Sequence, residues 1–94
     1  MGPILRWDPD KARSSARKHG VTFIEAVSVF RDALSVTISD PLHSMEEDRY
    51  VTIGQTDKGR TLVVVHTKVV GTIRVISARL ATSRERKNYE EGSF

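Results

Sequence analysis

Cysteine is absent from this 94-residue chain. That removes disulfide staples and thiolate metal sites, and it is compatible with a reducing, cytoplasmic setting. Aromatic residues amount to only 6%, and those of the second helical segment fall at core spacing rather than forming a platform for bases. No apolar run approaches the roughly 20 residues that span a bilayer, and no signal-peptide pattern opens the chain. No helical segment joins a basic face to a large apolar one, so a membrane is not an expected partner. Neither G-x-G-x-x-G nor G-x-x-x-x-G-K-[ST] occurs, which excludes the usual nucleotide-cradling loops. His19, His43 and His66 lack the H-x-x-x-H spacing of a metal site, so neither a metal nor a cofactor is expected. Ser77 has no nucleophile-elbow context, which argues against a serine hydrolase.

What is present is charge, unevenly placed. The formal net charge is +3. Residues 1–20 hold five cations and two acids, residues 21–57 two cations and seven acids, and residues 58–94 eight cations and three acids. The two ends are basic and the middle is acidic. If the ends meet in the fold they make a surface suited to nucleic acid.

Elements follow from periodicity and punctuation. Residues 4–7 read as a short strand. Asp8 and Pro9 then start a helix that stops at Gly20. Its apolar content is thin, and Lys11, Ser15 and Lys18 share one face, either wetted or turned to phosphate. His19 closes this helix, and a structural cap is the favoured reading of it over a charged contact with phosphate. Thr22-x-x-Glu25 fits a capping box, followed by Phe23, Ala26, Val27 and Phe30 at helical spacing. Alternation of Leu34, Val36 and Ile38 with polar residues predicts a half-buried strand. Residues 40–48 form a long polar loop carrying His43, a general-base candidate. Residues 49–54 and 61–67 are strands joined by Asp57-Lys58-Gly59-Arg60, and His66 faces inward with Leu62 and Val64. Residues 73–81 form the last strand, and Thr82-x-x-Glu85 opens a closing helix. These elements predict a single α+β domain over residues 1–94: a small antiparallel sheet, two N-terminal helices and one C-terminal helix.

The last strand and helix carry the densest chemistry. Arg74, Arg79, Arg84, Arg86 and Lys87 fall there with Glu85 and Tyr89, which are four apart and share a helical face. Arg86 and Lys87 read as a solvated face. Arg74 and Arg79 are an odd number apart, so a regular strand points them to opposite faces unless a bulge intervenes. Cations beside an acid and a phenol suit phosphodiester chemistry. RNA brings its own 2′-hydroxyl nucleophile, so such a site needs only a base, an acid and cations. The catalytic candidates are Arg79, Arg74, Glu85, Tyr89, His43 and Arg49, with Lys11, Lys18, His19 and Arg84 as RNA contacts. The same composition fits a non-catalytic nucleic-acid-binding or adaptor subunit.

The motifs Trp7-Asp8-Pro9-x-Lys11 and Lys18-His19-Gly20-Val21-Thr22-Phe23-x-Glu25-Ala26 resemble the opening of the BrnT toxin family. Asp40-x-x-His43-Ser44, Glu47-x-Arg49 and Ile53-Gly54 continue the likeness. Residues 73–89, ending Arg79-x-Ala81-Thr82-x-x-Glu85-Arg86-x-x-Tyr89, close it. Ser15 departs from the asparagine that the family often has there. The resemblance implies a RelE-like fold and a type II toxin–antitoxin ribonuclease that blocks translation and growth. It also implies an antitoxin partner, BrnA, with a ribbon-helix-helix element. That antitoxin would neutralise the toxin and carry the complex to operator DNA.

Overall fold

The computed structural model describes residues 4–40 and 48–92. Strand β1 (Ile4–Trp7) leads into helix α1 (Pro9–His19) and a short α2 (Phe23–Ala26) that continues as a 3-10 turn over Val27–Arg31. Strands β2 (Val36–Ser39), β3 (Arg49–Gln55), β4 (Thr61–Val69) and β5 (Thr72–Leu80) follow, and α3 (Ser83–Glu91) closes the chain. The strands form one sheet in the order β1-β5-β4-β3-β2.

The sheet is mixed, not antiparallel throughout. Strands β2 to β5 make an antiparallel meander, the last two connections of which are short, whereas β1 pairs parallel with β5, Ile4 opposite Thr72 and Trp7 opposite Val75. Nothing local announces this pairing. The two strands are far apart in sequence and meet only because α1 and α2 return the chain across the sheet.

Helix α1 is built as its punctuation predicts. The Asp8 carboxylate accepts the Asp10 N–H at 2.8 Å, Pro9 occupies the first turn, and Gly20 ends the helix at φ 64°, donating its N–H to the Ala16 carbonyl at 3.1 Å. That left-handed conformation favours glycine. The one buried residue of α1 is Ser15. Its hydroxyl lies 3.1 Å from the Val21 carbonyl and 3.0 Å from that of Ala78, so it pins the helix to β5.

The second helix departs from its apolar periodicity. Only Phe23–Ala26 is α-helical, because Ser28 Oγ donates to the Glu25 carbonyl at 2.6 Å and the backbone tightens into 3-10 geometry. The capping box is half formed. Thr22 Oγ1 accepts the Glu25 N–H at 3.1 Å, but the Glu25 side chain turns to Arg60 and Thr56 instead. Leu34 lies outside β2 and is 74% exposed. Asp32 takes over that turn, its Oδ1 accepting the Leu34 N–H at 2.9 Å.

One face of the sheet is the core. Val21, Phe23, Ala26 and Val29 pack against Leu62, Val64, Val75 and Ala78, with Trp7 meeting Phe23 edge-on at 6.2 Å. Each large aliphatic side chain buried there contributes about 1.5–3 kcal/mol. His66 is part of this face, 2% exposed, with Nε2 at 2.8 Å from Thr52 Oγ1 and its ring edge-on to Phe30. Burial pushes its pKa down, so the neutral imidazole belongs to the core.

Gly54 lets the 3-10 segment approach β3. A Cβ there would stand 3.0 Å from Ser35 Cβ and 3.2 Å from Val29 Cβ. Gly54→Ala is therefore expected to destabilise the fold by about 1–3 kcal/mol through overpacking. Urea unfolding checks this; an unchanged midpoint would show that the contact yields freely.

Candidate nucleic-acid site

The second face of the sheet carries the chemistry, and a bulge in β5 organises it. Val65 pairs with Ser77 and His66 with Val75, which leaves Ile76 without an opposite residue. This extra residue reverses the inside–outside alternation of everything before it. Val75 and Ala78 consequently both face the core, and Arg74, Ser77 and Arg79 are all exposed. The odd spacing of the two arginines is resolved: Arg74 and Arg79 stand on the same face.

Register extends that face sideways. Arg49 lies opposite Thr67, Thr67 opposite Arg74, and Arg74 opposite Arg6. Trp7 points to the core, so its neighbour Arg6 points the other way, onto the arginine face. Three arginines from β3, β5 and β1 thus share one transverse row. Towards the other end of the sheet the same face is apolar, where Val36, Ile38, Val51, Ile53 and Val63 line a cavity of about 100 Å³ closed on one side by Glu85.

Arg79 stands where β5 hands over to α3. Its guanidinium donates to both Glu85 oxygens, at 2.8 and 3.0 Å, and to the Leu80 carbonyl at 3.3 Å. Glu85 also completes a capping box: Oε1 accepts the Thr82 N–H at 2.8 Å while Thr82 Oγ1 accepts the Glu85 N–H at 3.1 Å. The Arg79 guanidinium above all, against the cost of burial and with help from Thr82, holds the Glu85 carboxyl down at about 2. The same pairing raises Arg79 above its ordinary value. Glu85 therefore stays ionised at neutral pH, which suits a group that aims Arg79 better than one that delivers a proton.

Tyr89 is turned elsewhere. Its hydroxyl donates to Asp32 Oδ2, and burial first, then this carboxylate, pushes the phenol up to about 12. Asp32 is opposed by burial, yet the Gln55 N–H at 2.8 Å, the Tyr89 hydroxyl and the Leu34 N–H hold it below its ordinary value. Tyr89 so fastens the end of α3 to the turn before β2, one helical turn from Glu85. Arg84 is exposed on the first turn of α3. His43 lies outside the described residues.

Lys11, Lys18 and His19 gather at a different place. With Ser14 and Ser15 they line a cleft of about 170 Å³ between α1 and Ile76, Ser77 and Ala78 of β5. Lys11 also lines a second cleft, of about 310 Å³, with Arg6, Asp8 and Arg74. Sequence reading passed over Arg6, which sits in a strand of ordinary appearance; only its pairing with Arg74 marks it. The buried Glu25 was likewise read as a helix cap. In fact it accepts from Arg60 Nε at 2.9 Å and from Thr56 at 2.8 Å, with Arg60 also reaching the Gly20 carbonyl at 3.1 Å. This cluster ties the β3–β4 turn to α2 and is scaffold. Among the described residues no three His, Asp or Glu side chains gather as metal ligands, and no helix is long and apolar enough to cross a membrane.

A small α+β protein with an arginine-lined sheet face offers a surface whose charge suits phosphate-bearing polymers. The family model described as "Ribonuclease toxin, BrnT, of type II toxin-antitoxin system" matches residues 7–85, and the chain belongs to that family. Among solved structures it is similar to the 1.1 Å crystal structure of the Brucella abortus ribonuclease toxin BrnT. The likeness has 21% identity, covers 85% of this chain and 99% of that one, and has a TM-score of 0.66. At that identity it speaks for the fold. No curated protein matches.

The Arg79–Glu85 pair makes a pH prediction. A carboxyl whose folded pKa lies below its ordinary 4.5 adds stability above that value, and the contribution disappears as pH falls through about 2. Glu85→Gln should therefore be less stable than wild type at neutral pH, with the gap closing near pH 2. Unfolding free energies at both ends test it; a constant gap would mean that the ion pair contributes nothing to folding.

Proposed function

We propose that the chain cleaves RNA without a metal, by attack of the 2′-hydroxyl on the neighbouring phosphate, and that it does so on the arginine face. The observation that carries this reading is the bulge at Ile76, which sets Arg74 and Arg79 on one face of a chain matched to a ribonuclease toxin family. Along β5 the two Cα atoms are at most about 16.5 Å apart at roughly 3.3 Å per residue. A phosphate held above Ser77 is then within reach of an extended guanidinium from either side. The planar fork of arginine suits the charge that grows on the phosphorane oxygens.

Roles follow from geometry. Arg79 stabilises the transition state and Glu85 aims it. Arg74, with Arg49 and Arg6 in its row, holds the flanking backbone. Tyr89 keeps α3 in place and so acts through Glu85. Proton transfer falls to an imidazole; His66 is buried and neutral and His19 lines the α1 cleft away from Arg79, which leaves His43 of the β2–β3 connection. Arg84 adds positive charge beside Arg79. The fold is read as RelE-like and the setting as the cytoplasm, where loss of RNA blocks translation and growth. The partner is the antitoxin, BrnA, a ribbon-helix-helix protein that neutralises the toxin and brings the complex to operator DNA.

Incubation of the purified chain with RNA and a chelator tests the chemistry. Cleavage that survives chelation and leaves a 2′,3′-cyclic phosphate supports it, whereas intact RNA with retained binding would make the chain a binding subunit. Arg79→Ala separates site from scaffold. It removes donors used in the transition state and should lower the cleavage rate by about a hundred- to thousandfold. The fold and antitoxin binding should remain. Arg86→Ala, exposed on α3, is the matched control and should stay toxic. Full ribonuclease activity in Arg79→Ala would place the chemistry elsewhere.

A further inference from the structure

The two basic clefts beside β5 adjoin. They share Lys11 and Ile76, and between them they are lined by Arg6, Arg74, Lys11, Lys18 and His19. Asp8 is the one acid on either lining, and its carboxylate is taken by the Asp10 N–H at the start of α1. The cause is architectural. Strand β1 pairs only with Thr72–Val75, so the later half of β5 has no strand on the edge opposite β4. Helix α1 lies along that uncovered stretch, held by Ser15 to the Ala78 carbonyl at 3.0 Å. Lys11 and Lys18 are two helical turns apart, about 10 Å at 1.5 Å per residue, and so mark out the length of the groove.

From this geometry we infer that the groove is a track for the phosphodiester backbone of single-stranded RNA, leading from His19 and Lys18 past Lys11 to Arg6 and Arg74. The inference rests on the ribonuclease reading and adds to it the path of the substrate. Arg74 is the joint, since it lines the groove and also stands on the face that carries Arg79. The path bends from the α1 side of β5 round the end of β1 onto the opposite face. A flexible single strand follows such a bend, and a stiff duplex does not. Cations spaced along a groove are the pattern by which proteins hold single strands without reading every base. Arg6 becomes a substrate-binding residue on this account.

The test separates binding from cleavage. A labelled 2′-O-methyl oligonucleotide, which lacks the nucleophile, is titrated with wild type, Arg6→Ala, Lys18→Ala and the double variant over a series of salt concentrations. Each lost phosphate contact should lower the slope of log affinity against log salt by about 0.7, and the double variant by about 1.4. Lys58→Ala, in the β3–β4 turn and on neither lining, should match wild type. With cleavable RNA the loss in Arg6→Ala should fall on KM, whereas that in Arg79→Ala falls on kcat. Wild-type affinity and slope in the double variant would overturn the track. So would unchanged RNA binding with weakened antitoxin binding, which would make the groove a protein-docking surface. If the variants lose binding but the wild type cleaves nothing, the ribonuclease reading fails and the phosphate track remains.

Discussion

One unpaired residue in β5 sets the character of the molecule. Side chains alternate along a strand, so the residues on either side of Ile76 would face oppositely if the pairing with β4 were regular. With Ile76 left out of the ladder, Val75 and Ala78 both reach the core while Arg74 and Arg79 both stay outside. The core under α1 and α2 needs the first pair, and the chemistry needs the second. A single bulge satisfies both, which is why a strand with two arginines still buries an apolar side.

The rest of the site depends on elements that bury little of themselves. Helix α3 has no buried residue, yet its position is defined at both ends by charge-assisted contacts. Thr82 and Glu85 fix its start and bind Arg79 there, and Tyr89 fixes its end on Asp32. Such hydrogen bonds to ionised groups are directional and stronger than neutral ones. They orient a short polar helix that apolar packing could not hold. On the core face the opposite logic applies. Thr37, Thr52 and His66 form a hydrogen-bonded chain, at 2.7 and 2.8 Å, that runs from the exposed edge strand into the core, and there an imidazole is structural.

Much of this was legible locally. The caps of α1 and α3, the strands from β3 to β5 and the inward face of His66 follow from short-range rules that read caps, alternation and turn residues. The family motifs likewise run through residues that do local work, such as Asp8, Gly20 and Thr82. Less legible were features in which a side chain chooses between a near partner and a distant one. Glu25 sits where a capping box would use it, but Arg60 and Thr56 offer stronger partners across the fold. Leu34 continues an alternating pattern, but the Asp32 turn ends it first.

The sequence by itself determined the class of elements, their order and the basic character of the two chain ends. Those properties depend on residues within a turn or a strand of one another. Only the tertiary structure decided that β1 joins β5 in parallel, that Arg6 stands beside Arg74, and that Arg74 and Arg79 share a face. Each is a matter of register between segments distant in the chain. Register is set by which apolar faces must be buried together, and a one-residue shift reverses the outcome.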